Sequence, residues 1–158
     1  MYFHFLKKKL FNNLNNKKIK ICIAESITGG YLTSEIIKLP GASEILIYGI
    51  VSYSNNSKES ILGIKNLIKS HGVVSKEVAE EMAKNISKFS DEKKVLSLSC
   101  TGFASHIDKK EKYLEAYISG KFYKTLLTKK IKLRDISRIG AIKLTAKEMT
   151  LLGLKLIT

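Results

Sequence analysis

Three side chains in this sequence have the types needed to attack a carbonyl group: Ser26 in the run AESITGG (24–30), and Tyr53 and Lys58 in YSNNSK (53–58). A serine hydroxyl is a poor nucleophile until a base removes its proton, and a lysine serves as that base when it is held neutral. Its ordinary pKa of about 10.4 must therefore fall, through desolvation or a neighbouring positive charge. A tyrosine hydroxyl between them could relay the proton or polarise the carbonyl, and Ser–Lys pairs are known variants of the serine-nucleophile arrangement. Each residue also has an ordinary reading. Ser26 stands before a helical stretch, where serine is commonly a cap. Tyr53 ends a strand-like run, where tyrosine packs, and Lys58 falls on a short helix, where lysine is solvated.

The surrounding pattern says what would hold these residues. The β-branched run over 19–24 leads into the Gly29-Gly30 turn and a helical stretch over 31–39, closed by Pro40-Gly41. That order reads as strand, tight turn, helix start. Such a turn presents N–H groups and a hydroxyl where developing negative charge is stabilised. The nearly continuous apolar run over 44–53 reads as a central strand. If the two strands are parallel neighbours, their C-terminal ends open on one crevice and Ser26 faces Tyr53 and Lys58.

Further along come short helical segments over 57–62 and 66–70, then a helix over 76–89 that Ser75 can cap. A strand over 95–100 follows, and two strands over 113–119 and 122–131 flank a Gly120-Lys121 hairpin turn. A long amphipathic helix over 136–156 closes the chain. At the other end, apolar residues at 3, 6, 10 and 14 make 1–17 an amphipathic helix packed on the rest. The order predicts an α/β fold: a three-layer α/β/α sandwich with a mixed, mostly parallel sheet, one domain over 1–158.

Composition narrows the function classes. With 158 residues, 44% of them hydrophobic, and a mean hydropathy of −0.03, the chain suits one soluble domain. No apolar run approaches the roughly 20 residues of a membrane span. The first residues lack the features of a signal peptide, so a cytoplasmic location is expected. Cys22 and Cys100 stand far apart without CxxC spacing, and His4, His71 and His106 are isolated. They read as two buried thiols and three scattered histidines, with no metal and no cofactor. A net charge of +14 raises nucleic acid as a partner. Against it, the lysines are spread along the whole chain and Arg134 and Arg138 are the only arginines. Attraction of anionic small molecules uses the same field.

The runs AESITGG (24–30), LPGASEI (39–45), YGIVSYSNNSKESILGI (48–64), HGVVSKEVAEEMA (71–83) and SLSCTG (97–102) resemble, in order, the C-terminal domain of the competence/damage-inducible CinA family. The resemblance covers most of the chain from residue 18 onward. Stand-alone members of that family are nicotinamide-nucleotide amidases of about this size, often homodimers. It therefore implies deamidation of nicotinamide mononucleotide to nicotinate mononucleotide and ammonia, in pyridine-nucleotide salvage. Ser26 would be the nucleophile, Lys58 the base and Tyr53 the assisting group. Thr28, Gly29 and Gly30 would offer N–H groups to the oxyanion or phosphate, and Asn55 would orient the substrate. Thr101, Gly102 and Lys112 match further substrate-binding positions. Arg134 and Arg138 match a pair that opens the family's last helix; ion pairs with Asp135 or Glu148 are their ordinary alternative.

The chain also departs from the family pattern. Ile27 stands where the family carries cysteine. After Gly102, a Gly- and Pro-rich loop is replaced by FASHIDKKEKYLE (103–115). Glycines let backbone approach a ligand closely, so their loss could reshape the nucleotide pocket. Glu115, if turned inward, would repel a phosphate. Two other classes stay open at this point: a homologue that binds a nucleotide or partner without turnover, and a basic nucleic-acid-binding or competence-related module.

Overall fold

The computed structural model describes residues 2–104 and 114–158. In chain order the elements are α1 (Tyr2–Lys17), β1 (Lys20–Glu25), α2 (Tyr31–Ile37), β2 (Leu46–Val51), α3 (Asn55–Leu62), α4 (Lys65–His71), α5 (Lys76–Ile86), β3 (Val95–Gly102), β4 (Glu115–Phe122), β5 (Thr125–Lys132) and α6 (Arg138–Ile157). A short 3₁₀ turn, Ser87–Phe89, finishes the stretch that the sequence joins to α5.

The strands form one sheet in the order β2-β1-β3-β4-β5. β1 runs parallel to β2 and β3, whereas β3–β4 and β4–β5 are antiparallel. The sheet is thus evenly mixed rather than mostly parallel. Alternation along β1 sends its side chains to opposite faces. Ile21 and Ile23 join Leu10 and Leu14 of α1, Leu32 and Ile36 of α2, and Met149 of α6 in one apolar cluster. Cys22 and Ala24 join Leu62 of α3 and Val78, Met82 and Ile86 of α5 in the other. Helices therefore cover both faces, and the fold is the expected three-layer α/β/α sandwich.

Two expectations are corrected. The run over 44–53 does not form a central strand: β2 is an edge, with Tyr48 and Val51 exposed, and β3 takes the centre with β1 between the two. An apolar run shows that a strand is covered but not which neighbour lies beside it, and Ile47 and Ile50 are covered from one face by the second cluster. The hairpin turn also lies elsewhere. Gly120 is inside β4, paired with Leu127, and the chain reverses at Tyr123 and Lys124, with Tyr123 at φ 51°. A Cβ on Gly120 would stand 2.6 Å from Leu156 Cδ1 and 2.9 Å from Leu98 Cδ2. That glycine lets α6 approach the sheet.

α1 packs as the sequence predicts, burying Leu6, Leu10 and Leu14. Lys7 is buried on the same face and pairs with Glu35 of α2. Among the described residues no helix is long and apolar enough to cross a membrane.

Candidate active site

The register Glu25↔Val51 brings the C-terminal ends of β1 and β2 level, and the Ser52 N–H donates to the Glu25 carbonyl at 2.9 Å. β3 reaches the same level from the other side of β1 and ends at Thr101 and Gly102. Between them opens a cleft of about 180 Å³. Ser26, Tyr53, Asn55 and Lys58 line it together with Thr101, Gly102 and Phe103, and Ile27, Val73 and Val74 give it apolar walls. Ligands in open α/β sheets bind at this carboxyl end of the strands. The cleft's volume is below the roughly 300 Å³ usual for pockets that enclose a whole drug-sized ligand.

The turn carrying Ser26 is closed from within. Gly29 and Gly30 adopt positive φ, 58° and 91°, a conformation that costs glycine little. The Gly29 N–H returns to the Ser26 carbonyl at 3.0 Å. The cap of α2 is Gly30, with no side-chain cap bond, so Ser26 is not a helix cap. That job falls to Glu25. Its fully buried carboxylate accepts the Leu32 N–H at 3.0 Å, the Thr33 N–H at 2.8 Å and the Thr33 hydroxyl at 2.6 Å. Beneath the turn, the Cys100 sulfur lies 3.1 Å from the Thr28 hydroxyl and takes the Ser26 and Thr28 N–H groups.

Lys58 is not solvated. Only 1% of it is exposed, and its amine donates to the Tyr53 carbonyl at 3.0 Å. Burial pulls its pKa from 10.5 down to about 8, slightly offset by the Cys100 thiol nearby. Lys58 and Leu62 share the inward face of α3 at i, i+4 spacing, and both are buried. Ser26 is 5% exposed. No hydrogen bond joins its hydroxyl to the Lys58 amine or the Tyr53 hydroxyl; catalytic contacts in unliganded sites are often loose and tighten with substrate. Tyr53 is not packed either: it is 57% exposed, and its hydroxyl accepts from Arg138 at 2.7 Å. The arrangement places a buried, easily neutralised amine and a buried hydroxyl on one small cleft.

The CinA C-terminal domain family matches residues 4–147. The chain belongs to that family. A CinA-like protein of Thermotoga maritima is 41% identical over 87 residues, which are 54% of this chain and 21% of that protein. A CinA-like protein of Prochlorococcus marinus is 48% identical over 81 residues, 51% of this chain and 19% of the relative. The match thus spans about a fifth of the length of these curated relatives. The crystal structure of the competence/damage inducible protein CihA from Agrobacterium tumefaciens superposes with a TM-score of 0.91 at 21% identity, covering 99% of this chain and 96% of that one. A competence or damage-inducible protein from Enterobacter asburiae superposes at 0.89 and 19% identity, covering 99% and 98%. At that identity the likeness is one of fold.

Among the positions matched to the CinA pattern, the cleft gathers Ser26, Tyr53, Asn55, Lys58, Thr101 and Gly102. Thr101 also donates its hydroxyl to the Val73 carbonyl at 2.7 Å, which ties the cleft floor to the segment before α5. Thr28, Gly29 and Gly30 do not line the cleft; Thr28 is turned inward onto Cys100. Arg138 meets the site through Tyr53, and Arg134 lies in the exposed stretch between β5 and α6. Glu148, offered above as a partner for the arginines, pairs with Lys129 and Lys147. Lys112 lies outside the described residues. Glu115 does not turn into the cleft: its carboxylate pairs with Lys130 at 2.5 Å on the neighbouring strand. Among the described residues no group of three or more His, Cys, Asp or Glu could hold a metal ion.

Sequence reasoning passed over Glu25, Val73, Val74 and Phe103. For Glu25 a signal existed: a carboxylate ending a buried strand needs donors, and the N–H groups that open the next helix, free of partners within it, stand seven and eight residues on.

Proposed function

We propose that this chain is an amide hydrolase acting on nicotinamide mononucleotide, releasing ammonia and nicotinate mononucleotide. One observation carries the reading above the others. Lys58 is buried, its pKa is drawn down to about 8, and it shares a cleft with the Ser26 hydroxyl. A surface lysine would stay charged near neutrality and could not accept a proton.

In this reading the neutral Lys58 amine takes the Ser26 proton as Oγ attacks the carboxamide carbon. The resulting ammonium hands that proton to the departing nitrogen, and ammonia leaves an acyl ester on Ser26. A water then attacks the ester with Lys58 again the base, and the ammonium returns that proton to the Ser26 oxygen as the acid is released. Tyr53 stands at the mouth, oriented by Arg138, where it can position the amide. The apolar walls from Ile27, Val73 and Val74 suit a flat aromatic ring and keep water from the amine.

Purified protein is expected to release ammonia from nicotinamide mononucleotide, and Ser26→Ala and Lys58→Ala to abolish the release. If wild type and Ser26→Ala give the same background rate, the proposal is wrong.

A further inference from the structure

We infer that Glu25 is a positioning residue for Ser26: its buried carboxylate staples the start of α2 to the end of β1, and so fixes the turn that carries the nucleophile. The inference rests on the amide-hydrolase reading.

The connection from β1 to α2 has two glycines at positive φ; the Gly29 N–H closes it onto Ser26 and Cys100 holds it from beneath. The chain on either side is pinned by the residue next to Ser26. One Glu25 oxygen takes the Leu32 N–H, and the other takes both the N–H and the hydroxyl of Thr33. The carbonyl of the same residue holds the Ser52 N–H, which leads directly into Tyr53. One fully buried residue therefore ties together the nucleophile turn, the first turn of α2 and the segment entering α3. Its side-chain oxygens are filled by the Leu32 and Thr33 N–H groups and the Thr33 hydroxyl, all at the start of α2. Thr33 is held from the far side as well: a Cβ on Gly49 would lie 2.3 Å from Thr33 Cγ2, so β2 packs directly against it.

Glu25 does not line the cleft, so its effect passes through geometry and not through contact with substrate. A displacement of the nucleophile by about 1 Å costs on the order of 100-fold in rate. Glu25→Ala is expected to lower kcat by about 10- to 100-fold with KM within about threefold, as for loss of near-attack geometry. The midpoint of the pH–rate profile near 8, set by Lys58, stays where it is. Glu25→Gln keeps the acceptor that faces Thr33 and recovers part of kcat. Thr33→Val removes one donor from the staple without emptying the site and lowers kcat several-fold, so it carries the test if Glu25→Ala does not fold. Amide exchange at Leu32 and Thr33, followed by NMR, rises at least about tenfold in whichever Glu25 variant folds.

Three results would overturn the proposal: kcat within twofold of wild type in the Glu25 variants and in Thr33→Val, a pH midpoint moved by more than one unit, or a rise confined to KM. If wild type itself releases no ammonia, the amide-hydrolase reading fails instead. Amide exchange then decides the staple alone.

Discussion

Replacing Lys58 with methionine separates the two things this residue does. Drawing its pKa from 10.5 to about 8 corresponds to about 3 kcal/mol against the charged form in the folded state. Because the folded value lies below the unfolded one, the unfolded chain binds more protons between about pH 8 and 10.5, and stability rises with pH across that window. Below pH 8 the native protein carries the whole cost of a buried ammonium. Lys58→Met removes that cost, which already contains what the ammonium gains from the Tyr53 carbonyl, and forgoes only the bond a neutral amine makes there, about 0.5–1.5 kcal/mol. At pH 7 the cost outweighs that bond, and the variant is about 2–3 kcal/mol more stable than wild type.

By pH 10 most of the charge penalty has gone from wild type, and the two proteins come within about 1 kcal/mol of each other. Urea denaturation of both proteins at several pH values from 7 to 10 reads the difference directly. In parallel, ammonia release by wild type should follow the neutral amine, about one-tenth populated at pH 7 and one-half at pH 8, and Lys58→Met should release none. A stability difference that does not change between pH 7 and 10 would refute the buried, depressed amine. So would a rate profile still rising past pH 10.

Gly120→Ala is expected to destabilise by about 1–3 kcal/mol, because the new methyl meets Leu156 and Leu98 within the core; a change under 0.5 kcal/mol on thermal denaturation would contradict the close approach of α6. Cys22 and Cys100 are both buried, and burial pushes each thiol up to about 11. Neither should react with a thiol reagent at pH 8 until denaturant is added, when two equivalents are titrated.

Much of the site is local in sequence. The turn after β1 is written in its glycines, the end of β2 in YSN, and the crevice follows from two parallel strands joined by a helix. The sequence left three matters open for reasons of distance. An apolar run such as LIYGIV does not specify its place in the sheet, and β2 lies at an edge because β3 and β4 occupy the other side of β1. Gly120 resembles a turn residue until α6 is seen pressing on it. Tyr53 finds its partner on Arg138, 85 positions away, a contact that no local pattern announces.

By itself the sequence determined the chemistry on offer: a serine at a glycine-ended turn, a lysine one helical turn into α3, and the family both belong to. The tertiary structure decided whether that lysine could act. A lysine on a short helix is charged wherever water reaches it. Only when α3 sits against the second apolar cluster, with Lys58 and Leu62 turned inward, does desolvation make the neutral amine accessible near neutral pH.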